Sequence, residues 1–140
     1  MTAFADSSAL VKLYADEPDA RLVRRHRLLV VSVVARVEVP AALWRKSRLG
    51  QLAVEDAGVL VQDFEADWTA PDGRMLPIGL RPAVLDDAAG LAGTHGLRAY
   101  DAIQLACARA ARDADAGVEV FLCFDGELRQ AAAREGFAQA

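Results

Sequence analysis

The feature that most restricts the fold is a series of short apolar runs of strand length, separated by longer segments with helical patterns. The clearest run is Leu28–Ser32, which is rich in β-branched residues and does not alternate with polar ones. Such a run suits a strand that is covered on both faces, as in a parallel sheet. Strands alternating with helices therefore predict an α/β fold, with a mainly parallel central sheet of four to five strands flanked by helices.

Turn and capping signals place the boundaries of these elements. The predicted strands are Ala3–Ala5, Leu28–Ser32, Met75–Ile78 and Val118–Phe124. The predicted helices are Ser8–Tyr14, Pro18–Arg27, Val34–Leu49, Ala53–Asp67, Pro82–His95, Asp101–Ala114 and Asp125–Glu135. Gly50 and Gly136 follow two of these helices, in the position where glycine commonly ends a helix.

Length and composition indicate one globular domain covering residues 1–140, with 54% hydrophobic and 26% charged residues. Cys107 and Cys123 are too few for a disulfide framework and lack zinc-ligand spacing, so both are expected to be buried thiols in a reducing compartment. No run reaches the ~18 apolar residues of a membrane span, and the N-terminus has no basic signal-peptide region. A soluble cytoplasmic protein, without a membrane partner, is expected.

The net charge of −4 argues against a general nucleic-acid coat, but the charge is unevenly distributed. Residues 1–50 hold nine Lys and Arg against five Asp and Glu, whereas residues 51–140 hold seven against fifteen. The basic excess around Arg21–Arg27 and Arg36–Arg48 is a candidate phosphate track or, alternatively, a solvated helix face. The charge therefore excludes a non-specific coat and leaves local contact with phosphates open.

Four acidic residues occupy positions where an α/β sheet binds ligands. Asp6 and Asp125 each directly follow a strand-like run. Asp101 opens a predicted helix, and Glu38 lies near the start of another. Because ligands bind outside the carboxyl ends of parallel strands, these four acids are expected at one edge of the sheet.

Each acid taken alone also has a purely structural explanation. The candidate helix N-caps are Asp6, Asp125 and Asp101, the last of them in a capping box with Gln104. Glu38 lies seven residues before Arg45 on the same helix face, where the two side chains would form an ion pair.

Taken together, the four acids point to a metal site. Clustered carboxylates repel one another, and at least one would be protonated at neutral pH unless a divalent cation neutralises them. Oxygen ligands of this kind suit Mg²⁺ or Mn²⁺ rather than zinc or copper. The chemistry that such a site serves best is metal-assisted attack of water on a phosphodiester.

Four stretches of the chain carry a family resemblance. They are Asp6–Tyr14, Arg36–Arg45, Leu97–Ala106 and Phe124–Leu128. In this order, over residues 4 to about 137, the chain resembles the PIN-domain nucleases, and among them the VapC-type toxins of bacterial toxin–antitoxin pairs.

The resemblance implies a set of site residues, a cofactor and partners. The acidic quartet that holds Mg²⁺ or Mn²⁺ and orients the attacking water corresponds to Asp6, Glu38, Asp101 and Asp125. Ser8 matches a supporting hydroxyl beside the first acid. Cys123 replaces the usual Thr or Ser, and Glu127 is a second candidate for the role of Asp125. The implied activity is cleavage of a structured RNA such as tRNA or rRNA, by a homodimer that a VapB-type antitoxin inhibits.

Two other functions remain open from the residues themselves. One is a phosphohydrolase with Asp6 as nucleophile, although such enzymes usually show Asp-x-Asp where this chain has Asp6-Ser7-Ser8. The other is a catalytically silent PIN-like binding module that acts through partner contact.

Overall fold

The computed structural model describes residues 2–140 and confirms the predicted α/β fold. Its strands are β1 (Thr2–Ala5), β2 (Leu28–Ser32), β3 (Met75–Ile78), β4 (Val120–Leu122) and β5 (Ala138–Gln139). Its helices are α1 (Ser7–Tyr14), α2 (Ala20–Arg24), α3 (Ala35–Arg48), α4 (Val54–Thr69), α5 (Pro82–His95), α6 (Ala99–Ala114) and α7 (Gly126–Arg134).

The five strands form one parallel sheet in the order β3-β2-β1-β4-β5. The central strand β1 pairs with β2 on one side and with β4 on the other. The chain therefore builds outward from β1 to β3 and then returns to the opposite side of β1. This reversal creates a topological switch point between β1 and β4, where the carboxyl ends of open α/β sheets bind ligands.

Alternate residues of the strands face two separate hydrophobic layers. Phe4, Val30 and Phe121 pack against helices α5, α6 and α7, and the rings of Phe4 and Phe121 stack with centroids 5.2 Å apart. Leu29 and Leu122 point to the other face and pack against α1 to α4. The sheet is thus covered on both sides, which explains why the Leu28–Ser32 run shows no polar alternation.

Most other predicted elements differ from the observed ones by one or two residues at an end, but two elements are clearly shorter than predicted and one strand was not predicted. Helix α2 is shorter than Pro18–Arg27, since Asp19 adopts a left-handed backbone conformation before it and Arg74 donates to the His26 carbonyl oxygen (2.6 Å) after it. Strand β4 is shorter than Val118–Phe124, because its pairing with β1 ends at Leu122. The prediction missed strand β5, which consists of only two residues.

Both cysteines are buried free thiols, as predicted. Within residues 2–140, no helix is both long and apolar enough to cross a lipid bilayer.

Candidate metal centre

An open cavity of about 540 Å³ lies at the carboxyl edge of the sheet, at the switch point between β1 and β4. The fold brings all four predicted acids into it. The residues that line it are Asp6, Ser7, Ser8, Val11, Glu38, Ala42, Arg45, Asp101, Gln104 and Asp125.

Each of the four acids lies at the N-terminal end of a different helix. Asp6 and Asp125 are the N-caps of α1 and α7, and each accepts a backbone N–H bond from its helix. Glu38 and Asp101 lie in the first turns of α3 and α6. Because a helix N-terminus carries partial positive charge, all four carboxylates are placed where backbone dipoles favour their ionised form.

Asp6 is the most buried acid of the group, with 4% of its surface exposed. Its Oδ1 atom accepts hydrogen bonds from the Ser8 hydroxyl (2.7 Å) and the Ala9 backbone N–H (3.0 Å). Ser8 in turn accepts a hydrogen bond from the Phe124 N–H (3.2 Å), so its hydroxyl links the ends of β1 and β4. Burial raises the pKa of Asp6 to about 6, even though these hydrogen bonds favour the carboxylate.

Glu38 is held by neutral donors rather than by a cation. Its Oε1 atom accepts hydrogen bonds from the Ser7 hydroxyl and from the Gln104 side-chain amide, both at 2.8 Å. Arg45 lies in the same cavity, but among residues 2–140 its guanidinium forms no ion pair. The ion pair between Glu38 and Arg45, one structural explanation considered for the sequence, is therefore wrong.

Asp101 is half-buried in the first turn of α6. Burial raises its pKa, and repulsion from Asp125 and Glu38 raises it further. The predicted capping box with Gln104 is wrong, because α6 begins two residues earlier and its N-cap is Arg98. That shift moves Asp101 from the cap into the helix, where its side chain lines the cavity.

Asp125 is exposed and forms the solvent-facing part of the cluster. Its Oδ1 accepts from the Glu127 N–H (3.1 Å), and its own N–H donates to the Cys123 sulfur (3.4 Å). Glu127 is also exposed but does not line the cavity. Its charge contributes to the raised pKa of Asp101.

The donor set fits a hard divalent cation. The cavity offers oxygen ligands, its most buried acids are costly to ionise, and no basic side chain of residues 2–140 forms an ion pair with the four carboxylates. Within that described range, no three His, Cys, Asp or Glu side chains are close enough to hold one ion together. Mg²⁺ suits such spacing, because it commonly binds one or two carboxylates and keeps several of its waters.

Two polar residues of the cavity, Ser7 and Gln104, were not identified as site residues from the sequence. The available signal for Gln104 was a polar residue within the apolar stretch Ala102–Ala106, where burial requires a hydrogen-bond partner. Ser7 carried no comparable signal, since a serine next to a helix cap is common.

The two basic segments lie in different places. The segment Arg21–Arg27 leads into the amino end of β2. The five residues of β2, at ~3.3 Å each, span roughly 16 Å, and this length separates the segment from the acidic edge. In the second segment, Lys46 pairs with Glu17 (2.7 Å) and Arg36 with Glu65 (3.4 Å). Arg45 is the basic residue that lines the acidic cavity.

Comparison with known proteins gives a family match and several shared folds. A profile described as the PIN domain matches residues 3–134. No curated protein matches the sequence.

Solved structures resemble the chain at low sequence identity. VapC20 of Mycobacterium tuberculosis, a toxin that cleaves the sarcin–ricin loop, is 16% identical with a TM-score of 0.66, covering 99% of this chain and 97% of its own. PAE2754 of Pyrobaculum aerophilum is 23% identical with a TM-score of 0.64, and the match covers 99% of this chain and 83% of PAE2754. A chain of a toxin–antitoxin complex from Klebsiella pneumoniae is 16% identical with a TM-score of 0.62, covering 88% and 86%.

Proposed function

The chain belongs to the PIN domain family, and on that premise we propose that it is a divalent-metal-dependent endoribonuclease of VapC type, acting as the toxin of a toxin–antitoxin pair. One observation carries the proposal: four carboxylates from four helix N-termini line a single cavity without a basic ion-pair partner among residues 2–140. Such an arrangement is costly for stability alone, because repulsion and burial both oppose ionisation. It becomes favourable when a cation binds.

In this proposal the residues have distinct roles. Asp6 and Asp101 hold Mg²⁺ or Mn²⁺ directly, and Asp125 completes the site from the solvent side through waters that the metal keeps. Glu38 holds the metal or orients the attacking water through Oε2, which accepts no hydrogen bond within residues 2–140. Ser8 keeps Asp6 in position from its place between Asp6 and the Phe124 backbone.

A bound divalent ion would neutralise part of the carboxylate charge and would lower the pKa of a water that it binds. The four acids would orient a water toward the phosphorus of an RNA phosphodiester. The water oxygen would bond to phosphorus as the bond to the leaving ribose oxygen breaks, with the water losing a proton to solvent and the leaving oxygen gaining one from solvent. The cavity is open on the side of Asp125, which gives a strand of RNA access to the carboxylates.

The proposed partners are an RNA substrate such as tRNA or rRNA and a VapB-type antitoxin, in the cytoplasm. Support for the antitoxin comes from two of the shared folds, one a toxin and one from a toxin–antitoxin complex. An arginine from such a partner could pair with the uncompensated carboxylates. Exposed apolar side chains on α3, including Val37 and Trp44, support a homodimer or another protein interface.

Cleavage of labelled RNA by the purified protein tests the proposal. We expect cleavage with Mg²⁺ or Mn²⁺, none with EDTA, and at least a roughly 100-fold slower reaction for Asp6→Asn and Asp101→Asn. Asp113→Asn is the matched control for Asp101→Asn, because it makes the same change at an exposed position of the same helix.

Two results would count against the nuclease. Asp6→Asn cutting RNA at the parental rate would show that the acids are not the site. A folded parent that cuts no RNA with either metal would favour the silent binding module. Growth arrest on expression, relieved by a small neighbouring gene, would separately support the toxin role.

A further inference from the structure

A buried glutamine is the most unusual polar side chain in the acidic cavity. Gln104 is 2% exposed and lies on α6 one turn after Asp101. Its side-chain nitrogen donates to Glu38 Oε1 (2.8 Å) and to the Ser7 hydroxyl (2.9 Å). The Ser7 hydroxyl donates to the same Oε1 atom (2.8 Å). Three residues from α1, α3 and α6 thus meet at one oxygen of Glu38.

We propose that Gln104, together with Ser7, is a positioning residue that holds Glu38 through Oε1 and keeps Oε2 available to a divalent metal or its water. The inference rests on the proposed function, in which Glu38 has a role toward the metal. Gln104 does not contact the metal in this inference and acts only by orienting Glu38.

The chemistry of the amide is the first argument. Gln104 is neutral, so it orients Glu38 without cancelling its negative charge. A lysine or arginine in the same place would form an ion pair and compete with a cation. The cavity does contain a guanidinium, that of Arg45, but it forms no ion pair with Glu38.

The second argument is that the amide is only half satisfied. Within residues 2–140, Gln104 Oε1 is buried and has no hydrogen-bond partner. A buried carbonyl oxygen without a partner is unfavourable, and an apolar side chain of similar size would fill the same space without it. The residue is therefore explained better by its two donated hydrogen bonds than by packing.

The decisive measurement is Mn²⁺ binding in the absence of RNA. The electron paramagnetic resonance signal of free Mn²⁺ reports how much of the ion is bound. Gln104→Met keeps the volume and flexibility of the side chain but removes the amide N–H groups that donate to Glu38 and Ser7. We expect its dissociation constant for Mn²⁺ to be about tenfold higher than that of the parent, as is typical when a residue that orients a ligand is lost. Ser7→Ala removes the other hydrogen-bond donor to Glu38 Oε1 and leaves Gln104 in place, so it should weaken Mn²⁺ binding by a few-fold.

Gln139→Met is the matched control. Gln139 also has a buried Oε1 without a partner in the described chain, but it lies on β5, where its amide donates to the Phe137 carbonyl (3.3 Å). The same substitution there should leave Mn²⁺ binding unchanged. In RNA cleavage, Gln104→Met should raise the Mn²⁺ concentration needed for half-maximal rate, and saturating Mn²⁺ should restore most of the turnover.

The possible results separate this inference from the proposed function. Parental Mn²⁺ affinity in folded Gln104→Met would overturn the positioning role and leave the nuclease standing. If Gln104→Met fails to fold, parental affinity in Ser7→Ala would overturn it instead. A parent protein that binds no Mn²⁺ would overturn both the inference and the metal-dependent function on which it rests.

Discussion

Two groups of carboxylates in this molecule have opposite surroundings. At the carboxyl edge of the sheet, Asp6 and Glu38 receive hydrogen bonds from hydroxyls, an amide and the backbone. At the end of α7, Glu135 instead accepts from Arg109 and lies 2.9 Å from His95 Nε2. Arg109 also pairs with Asp87 at 2.9 Å, which makes this second group a small ion-pair network.

The pKa shifts follow these surroundings. Burial raises the pKa of Asp6 and Asp101, whereas the hydrogen bond from His95 and the neighbouring Arg109 lower the pKa of Glu135. The charge of Glu135 is thus compensated within the fold and serves to hold α5, α6 and α7 together. The acidic cavity lacks that compensation among residues 2–140, and uncompensated buried charge is the property expected of a binding site.

The largest expected difference comes from making the same substitution in both groups. Glu38→Gln should slow metal-dependent RNA cleavage at least about 100-fold, because it removes a charge that the proposed reaction requires. Glu135→Gln should leave the cleavage rate within about twofold of the parent. Its cost is expected in stability instead, about 1–2 kcal/mol, because Arg109 and His95 lose a charged partner.

Cleavage rates and urea unfolding of the two variants, measured side by side, test this contrast. Loss of activity in Glu135→Gln with unchanged stability would mean that the two groups do not divide function and structure in this way.

The second expected difference is in the pH dependence of stability without metal. Burial raises the pKa of Asp6 from 3.8 to about 6. Between these two values, the folded protein keeps a proton on Asp6 that the unfolded chain has released. Between about pH 4 and 6, the free energy of unfolding of the parent should fall relative to Asp6→Asn. The difference is expected to reach roughly 2–3 kcal/mol near pH 7, at ~1.4 kcal/mol per pH unit.

Glu135 should show the opposite slope. Its lowered pKa means that its contribution is present above the pKa of the unfolded chain and is lost as the pH falls through the folded pKa. The stability advantage of the parent over Glu135→Gln should therefore shrink below about pH 4.5. Urea unfolding of the parent, Asp6→Asn and Glu135→Gln from pH 3 to 8 tests these slopes. If the stability difference from the parent changed with pH in the same direction for both variants, the electrostatic distinction between the two groups would be wrong.

The smallest expected effect concerns the arginines. Arg109 is engaged in ion pairs, whereas Arg45 lines the acidic cavity without one in the described chain. If Arg45 contacts an RNA phosphate, Arg45→Gln should weaken RNA binding a few-fold and reduce the slope of log affinity against log salt by about one.

Lys46→Gln is the control for this measurement, because Lys46 is the next residue of α3 and is already paired with Glu17. Binding of labelled RNA to the Asp6→Asn background, measured over a range of salt concentrations, separates affinity from cleavage. Equal slopes for Arg45→Gln and its parent would exclude Arg45 from phosphate contact.

Much of the fold could be predicted from local patterns. The boundaries of β2, β3 and α5 agree with the predicted ones, because apolar runs and the proline at the start of α5 mark them in the sequence. Strand β5 could not be predicted, since two residues carry no period and their pairing with β4 depends on a distant strand. The start of α6 was misplaced because Asp101 is as suitable for a cap as for a first turn.

The candidate site was predicted in its acids but not in its neutral residues. Asp6 and Asp125 follow strands, and that local feature is enough to place them at the carboxyl edge of a parallel sheet. The roles of Ser7 and Gln104 depend on a meeting point between α1, α3 and α6, with 97 residues separating the two side chains in the chain. No spacing rule within a helix reports a contact of that kind.

The sequence by itself determined the alternation of strands and helices and the identities of the acids, since hydrophobic period and residue type act locally along the chain. Only the tertiary structure decided which charges are compensated. Glu38 has Arg45 within two turns of its own helix but bonds to Ser7 and Gln104, while Glu135 pairs with His95, 40 residues away. Charge compensation depends on distances of a few ångströms between side chains, and those distances are set by how the helices pack on the two faces of the sheet.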